Sequence, residues 1–448
     1  MTRPNPISGF PEWLPAQRMV EQRFVDRIRE VYELYGFAPI ETRAVEPLDQ
    51  LLRKGGDTDK EIYVLRRLQA DADDGTDSGL GLHFDLTVPF ARYVLENAGK
   101  LRFPFRRYQI QKAWRGERPQ EGRYREFLQA DADVVDVDAL PFHYDVELAL
   151  VFAEALGALP IPPFEIRTNS RKVCEGFYRG LGLSDPIAAM RAIDKLLKIG
   201  PEKVAGMLVE TAGASDAQAK ACLALAEISA TDGSFVDRVR ALGVSDPLLD
   251  EGLEELTRVV EAAAAHVPGV VIADLKIARG LDYYTGTVYE AFLRGRQNIT
   301  IASGGRYDNL ATAGETRYPG VGISIGITRL LGLLGEQSFT VSRSVPTAVL
   351  VALPDEQARA GCDRIATALR RRGIATEVAP EPAKYGKQIK FADRRGVPFV
   401  WFPGAEGEPD TVKDIRSGEQ VEADATTWQP PARDLRPQIT ATSAQKEN

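Results

Sequence analysis

The chain has 448 residues, enough for two or three domains with sizeable cores. Hydrophobic residues make up 44% and charged residues 27%, which excludes a disordered chain, and no run approaches the roughly 18 apolar residues of a membrane span. Lysine and arginine number 56 against 64 acids, a net charge of −8 that, spread evenly, argues against bulk attraction to nucleic acid.

The first ten residues hold Thr, Arg, Asn, two prolines and a glycine without an apolar stretch, so no secretory signal is expected. Residues 18–35 carry Met19, Phe24, Ile28, Val31, Leu34 and Tyr35 at near-helical spacing, and Gly36 ends the helix before an extended run at 37–40. Residues 71–81, rich in Asp and Gly, read as a loop. Residues 101–137 mix apolar and basic side chains around a Gly/Pro-punctuated turn at 116–122, the pattern of two antiparallel strands with a long connection. Alanine and leucine at helical spacing dominate 185–266, which reads as a helical insertion. Strand patterns return at 270–275 and 288–292, followed by a glycine-rich run that enters a helix at Ile327. Beyond a linker at 342–345, strands (347–352, 375–378, 398–402) alternate with helices (356–372, 386–395), which predicts a small, mostly parallel α/β domain. The polar stretch 429–448 is expected to be a flexible tail.

Catalytic and metal-binding candidates are few. Cys174, Cys222 and Cys362 lie far apart with no CxxC, so a disulfide framework and a cysteine zinc site are not expected, and a reducing, cytoplasmic compartment is. His83, His143 and His266 are isolated and read as solvated or core-edge side chains. GxSxG, the Walker loop and a strand-borne GxGxxG are missing. Basic residues concentrate instead: Arg102, Arg106, Arg107, Lys112, Arg115, Arg118, Arg123 and Arg125 stand against Glu117 and Glu121, eight minus two, or +6. Such a block is either a solvated basic hairpin or a guanidinium site for phosphate. Strand alternation would set Arg115 with Glu117 on one face, and Arg123, Arg125 and Phe127 on one face of the next strand. Phosphate could then meet arginine, the adenine amino group a carboxylate, and the adenine face the phenyl ring.

The pattern Arg115-x-Glu117, loop, Arg123-x-x-x-Phe127 resembles motif 2 of class II aminoacyl-tRNA synthetases, and the glycine-rich segment from Gly320 to Arg329 resembles motif 3. Ala278-Arg279-Gly280-Leu281-Asp282-Tyr283-Tyr284-Thr285-Gly286 and Ser303-Gly304-Gly305-Arg306-Tyr307-Asp308 are similar to the two signature motifs of the histidyl-tRNA synthetase family. Asp85-Leu-Thr87 and Gln129-Ala-Asp-Ala-Asp133 fit that family's amino-acid pocket, and the likeness runs from about residue 15 to 421.

The resemblance implies a mixed α/β fold. An antiparallel-sheet catalytic domain (1–184 and 267–341) would carry the helical insertion (185–266), followed by an anticodon-binding α/β domain (345–428). It implies activation of L-histidine with ATP and transfer to the terminal adenosine of tRNA(His), with Mg²⁺ on the nucleotide, no zinc, no organic cofactor, no membrane and a homodimeric state. Arg115, Arg279 and Arg329 would be catalytic. Arg115, Glu117, Arg123, Phe127 and Arg329 would bind ATP. Asp85, Thr87 and Gln129 would receive the ammonium, Asp133 and Tyr284 the imidazole, with Tyr283 shaping the pocket and Arg279 beside the carboxylate. Simple aromatic strand packing is the other reading of Tyr283-Tyr284, and a plain turn that of Ser303-Gly304-Gly305, whose glycines would otherwise bring backbone close to ligand. Arg118, Arg125 and the i, i+3, i+6 lysines Lys384, Lys387 and Lys390 could meet tRNA phosphates, although the lysines could equally be a solvated helix face. The sequence departs from the family at Arg43 (motif 1 proline), Thr328 (an acid before the motif 3 arginine) and Trp114 (a smaller aromatic). The alternative is a non-catalytic paralogue, a histidine-binding regulatory subunit of histidine biosynthesis, but that group lacks the anticodon-binding domain and tends to lose the arginines.

Overall fold

The structure is a computed structural model that describes residues 5–52, 61–67, 79–277, 284–296, 299–335, 338–405 and 407–442. The chain forms two units, Met1–Pro11 with Phe24–Gly335, and Glu12–Arg23 with Glu336–Asn448.

The first unit is built on a nine-stranded sheet. Its strands in chain order are β1 (Ala38–Pro39), β2 (Phe105–Trp114), β3 (Glu126–Val135), β4 (Phe164–Ser170), β5 (Ser229–Ala230), β6 (Val271–Asp274), β7 (Thr287–Leu293), β8 (Thr300–Tyr307) and β9 (Gly320–Gly326). Spatially they run β1-β2-β3-β9-β8-β7-β4-β6-β5. The central pairs are antiparallel, and β1–β2 and β4–β6 are parallel. Helix α1 (Pro15–Leu34) buries Phe24, Ile28 and Val31 of the predicted stripe together with Tyr32, whereas Leu34 is exposed, and Gly36 follows the helix at φ +76°. The extended run predicted at 37–40 shrinks to the two-residue β1. Helices α2 (Thr87–Asn97) and α3 (His143–Gly157) complete the part of this unit that bears on the site.

The helical region starts earlier than its composition suggests. Helix α4 (Arg171–Gly180) supplies Cys174, Phe177 and Tyr178 to the same buried core as α5 (Pro186–Ile193), α6 (Pro201–Ala212), α7 (Asp216–Ala226), α8 (Phe235–Arg240) and α9 (Pro247–His266). The caps are local: Asp185 and Asp246 accept first-turn amides ahead of Pro186 and Pro247, and Ser215 forms a capping box with Gln218. Each such cap is worth about 1 kcal/mol.

In the second unit β10 (Val349–Val351) lies between parallel β11 (Thr376–Val378) and β12 (Phe399–Phe402), with α10 (Arg359–Arg371) and α11 (Tyr385–Arg394) as crossovers. Two antiparallel strands that the sequence reading lacked, β13 (Thr411–Asp414) and β14 (Gln420–Glu422), extend the sheet beyond β12. The expected flexible tail is corrected up to residue 442. Asp434 is buried and accepts from Arg416 at 2.7 and 2.9 Å, and Ile439–Ala441 pairs antiparallel with Phe339–Val341.

Candidate active site

The floor of the site is one face of four adjacent strands, fixed by register. Arg107, Asp133, Gly322 and Gly305 form one cross-strand row, and Gln109, Asp131, Ser324 and Ser303 the next. Alternation along β3 sends Ala130, Ala132 and Val134 to the apolar side and Gln129, Asp131 and Asp133 to this one. Arg107 is fully buried, pairs with Asp133 at 2.7 Å and lies 4.2 Å from the Phe90 ring centroid. Tyr307 donates to the other Asp133 oxygen at 2.8 Å. A Cβ at Gly322 would come within 2.0 Å of Asp133 Oδ1, so the glycine of β9 makes room for this carboxylate. Both Asp133 oxygens are therefore engaged, and each keeps a second lone pair for a further donor.

Beside the floor, residues 83–87 are laced onto β2. His83, buried, donates Nε2–H to the Lys112 carbonyl at 2.7 Å, Trp114 N–H bonds the His83 carbonyl at 3.1 Å, and Arg115 Nε donates to the Phe84 carbonyl at 3.0 Å. These ties deliver the buried Asp85 to the first turn of α2, where Oδ1 accepts from Val88 N–H at 3.0 Å. Thr87 is the first residue of that helix. Gln129 donates Nε2–H to Ser324 Oγ at 2.8 Å, which leaves Gln129 Oε1 buried without a partner. Burial pushes Asp131 up to about 7, opposed by Arg107 and the Ser324 hydroxyl and reinforced by Asp133 and Asp85. Burial also raises Asp133, against the pull of Arg107 and Tyr307.

The outer end of the β2–β3 hairpin carries the arginines. Strand alternation does not reach them, because β2 stops at Trp114 and Arg123 and Arg125 precede β3. Arg115 lies with its guanidinium 5.0 Å from the centroid of Phe127. Arg123 pairs with Glu117 at 3.0 Å, and Arg125 Nε donates to the Glu117 carbonyl at 3.2 Å. Arg118 is exposed. The motif 3 pattern forms β9 running into α12 (Ile327–Leu334), whose Arg329 donates to the carbonyls of Gly122 (3.1 Å) and Thr300 (2.9 Å). A Cβ at Gly122, itself at φ +67°, would come within 2.8 Å of Leu333, so the turn seats on α12. Not all of the +6 block is available to an incoming anion: Arg107 is committed to Asp133, and Arg106 pairs with Glu147.

Arg279 and Tyr283 lie outside the described residues. Tyr284 is buried with Ile277, Val288 and Phe292. Its ring occupies the space over Gly305, where a Cβ would come within 2.7 Å of it, and a Cβ at Gly304 would meet the Gly322 carbonyl at 2.2 Å. These two glycines accordingly accommodate a ring and a neighbouring strand. Arg306 secures the segment: it is bonded to Asp145, Asp308 and the Leu140 carbonyl, while its own carbonyl accepts from Thr285 N–H. In the second unit Lys384, Lys387 and Lys390 are all exposed, Lys384 just ahead of α11 and the other two on its first turns. Sequence reasoning counted Arg107 only within the basic block and gave Asp131, Tyr307 and Ser324 no role of their own, although Tyr307 lies in a signature segment and Asp131 shares its strand face with Gln129 and Asp133.

Comparison with known proteins matches residues 9–330 to the histidyl-tRNA synthetase family model and 347–426 to an anticodon binding domain. A histidine–tRNA ligase from Cutibacterium acnes is 58% identical over 455 residues, covering 99% of this chain and 100% of that one. The chain belongs to the histidyl-tRNA synthetase family. A crystal structure of histidyl-tRNA synthetase from Nostoc superposes with a TM-score of 0.83 at 35% identity, over 95% of this chain and 98% of that one. An ATP phosphoribosyltransferase regulatory subunit/histidyl-tRNA synthetase from Bacillus halodurans shares the fold, with a TM-score of 0.70 at 19% identity over 84% of this chain and 92% of that one. The departures from the histidyl-tRNA synthetase pattern have local partners. Thr328 Oγ1 accepts from Leu128 N–H at 2.8 Å, Trp114 Nε1 donates to Glu126 at 2.9 Å, and Arg43 joins Glu46 and Glu96 beside Arg92.

Proposed function

We propose that this chain is a histidine–tRNA ligase that forms histidyl-adenylate from L-histidine and ATP and passes histidine to the 3′-terminal adenosine of tRNA(His). The observation that carries the reading is the junction, on one hairpin, of a buried acidic floor and an arginine rim. Asp85, Asp131 and Asp133 suit a small cationic amino acid, and Arg115 and Arg329 suit a polyphosphate. The anticodon-binding match at 347–426 and the retained Arg115 and Arg329 speak against the regulatory-subunit reading.

The histidine carboxylate is already anionic at neutral pH, so it attacks the α-phosphorus without a general base, and pyrophosphate leaves. The side chains align the attack and neutralise charge on the transferring group. Arg115 leaves the Phe127 ring for the phosphates, and adenine takes the freed face, with Glu117 at its amino group. Arg329 and Arg123 border the phosphates, and the family resemblance gives Arg279 the α-phosphate and the substrate carboxylate as partners. Asp85, Thr87 and Gln129 take the ammonium, and Asp133 and Tyr284, flanked by Tyr283, read the imidazole nitrogens. Apolar analogues fail because this floor would be left unpaired. Glu117 and Glu126 are tied to Arg123 and Lys112, so Mg²⁺ entering with ATP would keep its waters and neutralise phosphate charge. In the second step a ribose hydroxyl of the terminal adenosine attacks the acyl carbon and AMP leaves. Arg118, Arg125 and Lys384, Lys387 and Lys390 meet tRNA phosphates.

A homodimer is in keeping with the exposed two-residue edge strand β1 and with Leu34, 84% exposed just before it. All three cysteines are buried free thiols, in keeping with a cytoplasmic site of action, and among the described residues no helix is long and apolar enough to cross a membrane. The test is charging of tRNA with labelled histidine. Product that requires ATP and the tRNA supports the reading, and a preparation that binds histidine but charges no tRNA refutes it.

A further inference from the structure

Among the polar groups of the floor, Asp131 lends negative charge in the reading above but is assigned no contact with the substrate. It is 2% exposed, its Oδ1 has no hydrogen-bond partner, and no salt bridge within 4 Å involves it among the described residues, since the nearby guanidinium of Arg107 is bound to Asp133. A buried carboxylate left in this condition is costly unless something brings it donors.

The surroundings say which donors. The Ser324 hydroxyl accepts from Gln129 Nε2 and hydrogen-bonds Asp131, so one relay runs Gln129 amide to Ser324 to Asp131. The relay consumes the donor half of the Gln129 amide and turns its Oε1 out as a second buried acceptor without a partner. The two unsatisfied atoms, Gln129 Oε1 and Asp131 Oδ1, thus sit on side chains that share one strand face and one serine. Asp85, also buried, is close enough to raise Asp131 electrostatically. Three acceptors, two of them carboxylates, call for a small group with several N–H donors and a positive charge. An α-ammonium has three donors and the charge.

We propose that Asp131 is a further specificity-determining residue for the amino-acid substrate, its free Oδ1 receiving the α-ammonium alongside Gln129 Oε1 and Asp85. The inference rests on the reading that histidine is the substrate. Charged and titratable groups face Asp131 from each neighbouring element: Arg107 on β2, Asp133 on its own strand, Asp85 ahead of α2 and Tyr32 on α1. The balance holds a share of Asp131 protonated at neutral pH in the empty site. Arrival of an ammonium favours the carboxylate, so the proton is expelled to solvent as the substrate binds.

Calorimetric titration of the full-length Asp131→Asn protein with histidine and with deaminohistidine, which keeps the imidazole and carboxylate and lacks the ammonium, tests this. The expected result is about 10- to 100-fold weaker histidine binding, the range of a charge-assisted hydrogen bond, with deaminohistidine changed less than about twofold. Unchanged histidine affinity, or an equal loss for both ligands, would overturn the assignment. The wild-type protein gives an independent arm at neutral pH, in buffers of different ionisation enthalpy. Histidine should release more protons than deaminohistidine, and equal release would overturn the proposal. Wild-type protein that binds no histidine would instead overturn the substrate reading beneath it, a result separable from failure of Asp131 alone.

Discussion

The two ends of the β2–β3 hairpin use arginine in opposite ways. At the inner end Arg107 is fully buried and committed to Asp133, so neither charge can be removed without stranding the other. At the outer end Arg115 and Arg329 are half-buried and donate chiefly to backbone carbonyls, while Arg123, its side chain 45% exposed, pairs with Glu117. Such contacts are easily exchanged for phosphate oxygens, because a guanidinium that leaves a carbonyl leaves no buried charge behind. Under the proposed function the difference would separate two tasks: a rigid, buried floor to discriminate a small substrate, and an exchangeable rim to take a polyphosphate that must come and go.

Substitutions can break that contrast. The largest effect is expected from Arg107→Met, which strands Asp133 and should lower unfolding stability by about 3–5 kcal/mol in urea titrations. Adding Asp133→Asn should recover much of the loss, whereas simple additivity of the two changes would show that the pair is not coupled. At the rim, Arg115→Ala should leave the melting temperature nearly unchanged while slowing adenylate formation about 100- to 1,000-fold in single-turnover measurements. A stability loss as large as that of Arg107→Met would erase the distinction between the two ends.

A pH scan sharpens the comparison. Asp131 is raised to about 7 in the folded state, above the roughly 3.9 of an unfolded aspartate, so the folded protein binds this proton more tightly. Its contribution therefore favours folding at low pH and is lost progressively as pH rises from about 4 to about 7. Wild-type stability should fall by about 2–4 kcal/mol more than that of Asp131→Asn over this window, and parallel curves for the two proteins would contradict the buried-acid account. The smallest effect belongs to the second unit. Reversing Lys387 and Lys390 to Glu should reduce tRNA charging severalfold, most at low salt, with pyrophosphate exchange unaffected.

Much of this was legible in residue order. Phe24, Ile28 and Val31 announced α1, alanine and leucine at helical spacing announced the helices of 185–266, and the glycine-rich run entering a helix at Ile327 was read in place. The arginine block was legible as charge but not as commitment. Whether Arg107 points at solvent or at Asp133 depends on a register between residues 26 apart, which no local pattern specifies. The same holds for Asp434, whose partner Arg416 turns a polar tail into packed chain, and for β13 and β14, too short and polar to show alternation. The roles of Gly304, Gly305 and Gly322 likewise follow from what lies above each one: a neighbouring strand, Tyr284 and Asp133 respectively.

Histidine-dependent exchange of pyrophosphate into ATP tests the central claim most directly. The account predicts exchange that requires histidine, that deaminohistidine does not support although the attacking carboxylate is present, and that falls steeply in Arg115→Ala. Absence of exchange at micromolar enzyme with saturating histidine and Mg²⁺ would contradict it.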